Sequence, residues 1–237
     1  MIATAVLAAA LVASPPPISL SAWPSHLTVR PGASEVVRLR TADRRPLRVE
    51  THVAGYALDL HGRPRIAAAA PWLSVRPQRL TVARSGAALV VSTRRLRRAR
   101  PGDHSAVVLL IASAPSARGV LVRIRIGLVV TMRLPGVVVH RLALRAVHLR
   151  GRVRDRVIEL TLGNRGNVIE PIDASHLRLT LLRHGRVVAR LTPERRRLLP
   201  RSTGLVELRY KGPARGRVTA RLELSGSPRV HSFPLRL

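Results

Sequence analysis

The chain has 237 residues, 46% of them hydrophobic and 2% aromatic, and carries a formal net charge of +30. Its aliphatic content can offset the conformational entropy lost on folding, which excludes an intrinsically disordered chain. Cysteine is absent, which excludes disulfides, thiolate nucleophiles and Cys-ligated metal sites. Because a core with so few aromatics must be built from branched aliphatic residues, the composition favours β-strands.

The positive charge comes almost entirely from arginine, since only Lys211 among the 42 basic residues is a lysine. Together with the many Ala, Gly, Pro and Val residues, this bias is typical of GC-rich coding and says little about partners. The basic residues are not interleaved with aromatics, as binding of single-stranded nucleic acid would require. We therefore disfavour nucleic acid as a partner and prefer anionic cell-wall polymers or lipid head groups.

Residues 2–13 form an uncharged apolar run, followed by three prolines and by the small residues Ser21 and Ala22. This order matches the apolar core and cleavage zone of a signal peptide, and the run is too short to span a bilayer. We therefore predict a signal peptide at residues 1–22, an exported protein and no stable transmembrane anchor after cleavage. No Lys or Arg precedes the run. The alternative is a buried Ala-rich helix that the prolines would end.

After Pro24, apolar residues alternate with Arg, Thr or Ser, as in strands that bury one face. Turn signals such as Pro31-Gly32 recur about every 8 to 12 residues, which is typical of a β-sandwich. The candidate strands before residue 134 are Leu27–Arg30, Glu35–Thr41, Pro46–Val53, Trp72–Val75, Leu80–Ala83, Ala88–Ser92, Ser105–Ser113 and Gly119–Thr131.

Leu134-Pro135-Gly136 interrupts the alternation and predicts a domain boundary, because Pro and Gly end strands and link modules. The pattern then starts again, and a single helical turn is predicted at Pro193–Leu199. The candidate strands are Val137–Leu149, Val153–Leu162, His176–Arg183, Arg186–Leu191, Leu205–Tyr210, Arg217–Leu224 and Val230–Leu237. Since no long amphipathic crossover helix is present, we predict an all-β chain of two tandem immunoglobulin-like antiparallel β-sandwich domains, at residues 23–133 and 134–237.

Residues that could perform catalysis or bind a metal are few and scattered. Asp103-His104-Ser105 has the residue types of a catalytic triad, but neighbours along an extended chain point to opposite faces, so an ordinary turn is the better interpretation. His140 and His148 lie roughly 26 Å apart along one candidate strand, too far to share a metal. We predict no catalytic, cofactor or metal site.

Two other local features favour structural roles. Gly and Asn tolerate left-handed backbone, so residues 163–167, Gly-Asn-Arg-Gly-Asn, predict a compact corner rather than a binding loop. In a chain with so few aromatics, Trp72 is more plausible as a core anchor than as a ligand contact.

Clustered arginines are the best candidates for contacts with an anionic ligand, because guanidinium groups match the geometry of phosphate and carboxylate. The alternative is a solvated surface that reflects composition alone. The candidates are Arg94, Arg95, Arg97, Arg98, Arg100, Arg195, Arg196 and Arg197.

Three stretches carry a family pattern: Val29-Arg30-Pro31-Gly32, Trp72-Leu73-Ser74-Val75-Arg76-Pro77, and Pro101-Gly102-Asp103-His104 before an apolar strand. In these three stretches the chain resembles the immunoglobulin-like domains of bacterial surface proteins, especially the WxL-interacting proteins. It resembles periplasmic pilus chaperones more distantly. The first resemblance implies a peptidoglycan-binding domain, a partner-binding domain and a C-terminal membrane helix. We expect no such anchor, because the chain ends at Pro234-Leu235-Arg236-Leu237 without one.

The resemblance to pilus chaperones implies that a long alternating strand at the end of the first domain completes the sheet of a pilus subunit, which is a form of β-augmentation. The alternative is that this strand packs the core of its own domain. The candidate donor residues are Val120, Val122, Ile124, Ile126, Leu128 and Val130.

The sequence thus predicts a secreted or cell-envelope protein without enzymatic activity or a cofactor, which contacts another surface protein or an anionic wall polymer. The alternative function is that of a pilus-chaperone-like assembly factor acting by β-strand donation.

Overall fold

A computed structural model describes residues 19–96, 99–115, 121–152, 155–225, 227 and 229–237. The described residues form nineteen strands and no helix. The first ten strands are β1 (Ser21–Trp23), β2 (His26–Val29), β3 (Ser34–Arg40), β4 (Leu47–Leu58), β5 (Pro64–Ala67), β6 (Leu73–Arg76), β7 (Arg79–Val82), β8 (Ala87–Thr93), β9 (Gly102–Pro115) and β10 (Leu121–Leu134). The other nine are β11 (Leu142–Arg152), β12 (Asp155–Asn164), β13 (Glu170–Ile172), β14 (Leu177–Arg183), β15 (Arg186–Leu191), β16 (Arg196–Leu198), β17 (Thr203–Tyr210), β18 (Arg217–Leu224) and β19 (His231–Arg236).

The first ten strands form two sheets. One has the order β1-β3-β8-β6, and the other has the order β2-β10-β9-β4-β5 with β7 also paired to β4. Every pair is antiparallel except β2 with β10, which run parallel. Alternation decides which side chains lie between the sheets, because successive side chains of a strand point to opposite faces. In β3, for example, Val37 and Leu39 are buried while Arg38 and Arg40 are exposed.

The remaining strands repeat this arrangement. One sheet has the order β11-β12-β17, a second has the order β15-β14-β18-β19, and β13 pairs with β16. Leu160, Leu179 and Leu222, from three of these strands, are fully buried between the sheets.

The buried apolar residues fall into two separate clusters. The first extends from Leu27 to Leu134 and the second from Leu142 to Leu237, and we call the corresponding parts of the chain the first and second domains. The predicted all-β fold of two immunoglobulin-like sandwiches is therefore confirmed. The predicted boundary at Leu134 to Gly136 lies at the edge of the stretch between the clusters and stays a prediction.

Three local predictions are wrong. Residues Pro193–Leu199 hold no helical turn, because β16 pairs with β13 there. The strand predicted to start at Val137 starts at Leu142, since the preceding residues hydrogen-bond to the corner at 163–167 and not to a sheet. No strand was predicted between Val53 and Trp72, but Pro64–Ala67 forms β5, a short edge strand.

Trp72 is 7% exposed within the first core cluster, as predicted. Residues 1–18, which hold most of the predicted signal peptide, lie outside the described part of the chain. Its predicted cleavage zone coincides with β1, which pairs with β3. Among the described residues, no helix is long and apolar enough to cross a membrane.

Candidate functional site

Strand β10 has a different environment along each half of its length. Its partner β9 runs beside it from end to end, whereas β2 pairs only with Val129–Met132. Within the described residues, no strand pairs with the other edge of residues 121–128. The backbone N–H and C=O groups along that edge are therefore available for pairing with another chain.

The alternating apolar side chains of β10 become more exposed in the direction of residue 121. Leu128 and Val130 are fully buried, Ile124 and Ile126 are half-buried against the same core, and Val122 is 37% exposed. These five residues are the described members of the predicted donor set. Val120 lies outside the described residues. The two innermost members are thus core residues, and the outer three combine partial exposure with an open strand edge.

The opposite face of the outer half carries charge. Arg123 and Arg125 are exposed, and Gly127 follows them on the same face. None of the described carboxylates lies within 4 Å of either arginine. A strand that paired with this edge would extend both faces of the sheet. Its side chains would lie beside the apolar row of β10 on one face and beside the two arginines on the other.

The base of the β9–β10 hairpin is fixed by a buried carboxylate. Asp103 accepts hydrogen bonds from Nε and Nη2 of Arg133, at 2.6 and 2.9 Å, and from the backbone N–H of Ile169 in the second domain, at 2.8 Å. Its side chain is only 1% exposed. Burial alone would raise the pKa of Asp103, but the hydrogen bonds from Arg133 and Ile169 and the charge of Arg133 outweigh it and hold the pKa below its usual range.

Asn167 connects both domains and the segment between them. Its side-chain Nδ2 donates to the carbonyl oxygens of Pro101 and Val137, at 3.1 and 2.7 Å, and its Oδ1 accepts from the N–H of Val139 at 2.8 Å. Its backbone carbonyl accepts from the N–H of Asp103 at 2.8 Å, and its own N–H donates to the carbonyl of Val139 at 3.1 Å. One asparagine therefore holds the base of the hairpin against the second domain.

This contact requires glycine at position 102. Gly102 has a φ of +116°, and a Cβ there would lie 2.0 Å from the carbonyl oxygen of Asn167. A side chain would thus be incompatible with both the backbone conformation and the close approach. The chain bends at residues 166–168, but Gly163 and Asn164 still belong to β12, and none of residues 163–167 has the left-handed backbone on which the corner was predicted. Asn167 joins the domains, a role that the sequence did not predict.

A cleft of about 330 Å³ lies beside this joint, lined among others by Tyr56, Arg100 and Arg201. Burial raises the pKa of Tyr56, and the nearby charge of Arg197 opposes that shift. The structure thus brings two of the predicted anion-contact arginines, Arg100 and Arg197, towards the same tyrosine from different domains. Their sequence separation gave no sign of this.

The other predicted anion-contact arginines are dispersed. Arg94 lines a groove beside β6, the side chain of Arg95 covers Gly32, and Arg195 is exposed. Arg196 donates to the carbonyl of Leu205. Arg97 and Arg98 lie outside the described residues.

The described residues contain no arrangement that we can assign to catalysis. Asp103, His104 and Ser105 lie in β9 and not in a turn, since the strand starts at Gly102. His104 contacts the carbonyl of Arg100 through Nε2, at 2.9 Å, and Asp103 is held by Arg133. The triad interpretation therefore fails on geometry, as predicted, although the predicted turn is wrong.

A second Ser, His and Asp group does form close contacts. Ser175 Oγ and Asp173 Oδ1 both lie against the same nitrogen, Nδ1 of His176, at 2.9 and 2.7 Å. A catalytic relay needs the serine and the carboxylate on opposite nitrogens of the ring. The hydrogen bonds from Ser175 and His176 hold the pKa of Asp173 well below its usual range, so this group stabilises a turn. No cluster of three or more potential metal ligands occurs in the described part of the chain.

No family model matches the chain, and no curated protein matches its sequence. Similar solved structures include the class 5 fimbriae chaperone CfaA, which is 12% identical over 92% of this chain and 98% of that chain, with a TM-score of 0.51. The periplasmic chaperone SfaE is 13% identical over 92% and 98% of the two chains, with a TM-score of 0.50. A structure of the Salmonella enterica SafA pilin in complex with the SafB chaperone matches at 12% identity over 92% and 96% of the chains, with a TM-score of 0.50.

At such identities the likeness establishes the fold alone. It agrees with the resemblance to pilus chaperones that the sequence indicated, at the level of two immunoglobulin-like domains. The resemblance to WxL-interacting proteins stays a prediction.

Proposed function

We propose that this protein is an assembly factor that works outside the cytoplasm and lends the outer half of β10 to complete the sheet of a partner subunit. The observation that carries the proposal is the open edge of residues 121–128 beside half-buried alternating apolar side chains. The similarity in fold to pilus chaperones supports it, as does the apolar run at residues 2–13.

The physical basis is strand addition. A partner strand that pairs with the edge gains main-chain hydrogen bonds, and pockets for alternate side chains supply specificity. Val122, Ile124 and Ile126 are the side chains that such pockets would receive. Fully burying each aliphatic side chain contributes about 1.5–3 kcal/mol, so three partly exposed ones provide several kcal/mol of binding free energy.

The rigid base is a second supporting feature. Asp103, Arg133 and Asn167 tie the hairpin to the second domain, so the outer half of β10 is presented in one orientation. A fixed orientation lowers the entropy that docking would otherwise lose.

The alternative function, a scaffold that binds an anionic wall polymer, has less support. Arg100 and Arg197 come towards the same tyrosine, but the other described arginines of the set are dispersed, since Arg94 and Arg95 lie in the first domain while Arg196 bonds within the second. An envelope role as a protein-binding module remains compatible with strand donation.

The experiment is site-specific photocrosslinking in the source organism. A photoreactive residue replaces Val122 in one variant and, as the matched control, Val187 on β15, which is also apolar and is 47% exposed. We expect one protein partner to crosslink from position 122 and not from 187. Crosslinks of equal yield from both positions, or none from position 122, would contradict the proposal.

A substitution pair tests the side chains themselves. The double variant Ile124→Thr and Ile126→Thr, carrying the photoreactive group at 122, should reduce the crosslink yield at least tenfold, which corresponds to about 1.4 kcal/mol. The control is Val187→Thr with Val188→Thr. An unchanged yield from a folded double variant would show that these side chains do not enter the partner. Because both isoleucines contact the core, the unfolding midpoint of each variant is measured alongside, and Val122→Thr serves as the milder donor variant if the midpoint drops.

A further inference from the structure

The outer face of the sheet β1-β3-β8-β6 exposes apolar side chains to solvent. Trp23 is 71% exposed, Val36 is 56% exposed and Val90 is 40% exposed. A solvated face of an antiparallel sheet is normally polar. Of the two tryptophans, Trp72 is buried in the first core cluster, whereas Trp23 is mostly exposed to solvent and is not part of either cluster.

Strand register shows which residues share this face. Trp23 pairs with Arg38, which pairs with Ala88. In the next row of outward-facing residues, Val36 pairs with Val90, which pairs with Arg76. We call this surface the Trp23 face, made of Trp23, Val36, Val90, Arg38, Arg40 and Arg76.

The charge of the Trp23 face has one sign. Glu35 is the one acidic residue in these four strands. It lies two positions before the inward-facing Val37 on β3, so it is on the opposite face of the sheet from Trp23. Among the described carboxylates, none lies within 4 Å of Arg38, Arg40 or Arg76. These guanidinium groups are therefore free to bind an anion.

A groove runs next to the tryptophan. It has a volume of about 440 Å³ and is lined by Ser21, Ala22, Trp23, Arg38 and Arg40. An indole beside two guanidinium groups suits a ligand that has both an apolar part and a phosphate.

We propose that the Trp23 face docks on an anionic phospholipid bilayer, with the Trp23 indole at the level of the head groups and Arg38, Arg40 and Arg76 on lipid phosphates. Tryptophan concentrates at membrane interfaces because its ring is amphipathic. Arginine binds phosphate through paired hydrogen bonds and can bury its aliphatic stem while its charge stays in the polar layer.

The position of the face along the chain favours a bilayer over a protein as its partner. Strand β1 starts at Ser21, and the seven residues 14–20 separate it from the end of the apolar run at residues 2–13, a distance of at most about 28 Å in a fully extended chain. Until the signal peptide predicted at residues 1–22 is cleaved, a bilayer that the run enters is therefore within reach of the Trp23 face. Because β10 belongs to the other sheet, this docking leaves its open edge accessible, and the inference is independent of strand donation.

The experiment follows tryptophan emission of the full chain mixed with vesicles of phosphatidylcholine and phosphatidylglycerol, three to one, with brominated acyl chains. We expect Trp23 emission to shift to the blue and to be quenched, while the buried Trp72 stays unquenched. In Trp23→Phe the remaining emission should be insensitive to the vesicles. A full chain that binds the vesicles without any change in Trp23 emission would overturn the proposal, since another segment would then be the contact.

Charge variants supply the matched control. Replacing Arg38, Arg40 and Arg76 with Ser should weaken vesicle binding about 100-fold, from roughly fivefold per arginine at an anionic surface. The same change at the exposed Arg178, Arg195 and Arg217 of the second domain should weaken it less than tenfold. Equal losses would refute the Trp23 face as the docking site. A shift of Trp23 emission with a partner protein but not with vesicles would also refute lipid docking and identify a protein interface.

Discussion

The two halves of β10 share one sequence pattern and have opposite surroundings. The inner half, from Leu128 to Leu134, has β9 along one side and β2 along Val129–Met132 on the other, and its apolar row is buried. The outer half has one neighbouring strand, and its apolar row is only half-buried. Alternation alone therefore indicates a strand but does not tell a residue that holds the domain together from one that remains available to a partner.

The difference between the halves originates in β2. That strand is four residues long and covers only Val129–Met132. From residue 128 towards residue 121 the edge is open. The length of β2 therefore determines which part of β10 is paired on both edges and which part remains open to a partner. One substitution pair tests this division, and two further variants test the joint that holds the base of the hairpin.

The largest effect is expected from Leu128→Ala. Removing a fully buried leucine typically lowers the free energy of unfolding by about 3 kcal/mol. The matched change Val122→Ala, in the outer half, should lower it by less than about 0.5 kcal/mol because the side chain is already largely in water. Urea denaturation measures both values, and similar losses for the two variants would abolish the distinction between the halves.

Asn167→Ala tests the joint at the base of the hairpin. It removes three side-chain hydrogen bonds, and we expect a loss of about 1–2 kcal/mol because the site is partly open to solvent. Limited proteolysis should detect faster cleavage in the segment from residue 135 to 141. If cleavage and the small-angle scattering profile of the variant matched the wild type, Asn167 would not hold the domains together.

Asp103→Asn should have the smallest effect, about 1 kcal/mol at neutral pH, because Arg133 is half-exposed. Since folding lowers the pKa of Asp103, its contribution is present above the pKa of the unfolded chain and is lost as the pH falls through the folded value. The difference in stability between wild type and variant should therefore begin to narrow below about pH 4 and close once the pH is below the folded pKa. Denaturation midpoints from pH 7 to pH 2 measure this. Asp155→Asn, at an exposed position, is the control, and a constant gap between Asp103→Asn and wild type would contradict the assignment.

Most of the strands follow from the sequence, because burial of one face imposes a period of two. Glu35–Thr41 and Arg217–Leu224 were predicted to within a residue at each end. The prediction failed where hydrogen-bond partners distant in sequence decide the structure. Residues 196–198 form a strand only because β13 pairs with them, and Val137 to Arg141 stay outside a sheet although three of them are β-branched valines.

The candidate site was predicted in part. The apolar parity of β10 is readable, but its open edge depends on the length of β2, and the parallel pairing of those strands has no local signal. The Gly and Asn residues around Asn167 predicted a corner there. Its contacts with Pro101 and Asp103 could not be predicted, because they depend on tertiary structure. The exposure of Trp23 was not predicted either, although its place beside Pro24 at the start of the alternating region could have suggested an edge strand.

The open edge of β10 also affects how the protein behaves at high concentration. An unpaired strand edge is a template on which identical chains can aggregate. If two copies met there in antiparallel fashion, Arg123 and Arg125 of one chain would face the same residues of the other, and like charges directly opposite destabilise a pair of strands. A neutral or acidic strand meets no such repulsion. We expect these arginines to keep the protein monomeric. The unpaired edge of β10 could then pair with a neutral or acidic strand of a partner but not with a second copy of the chain.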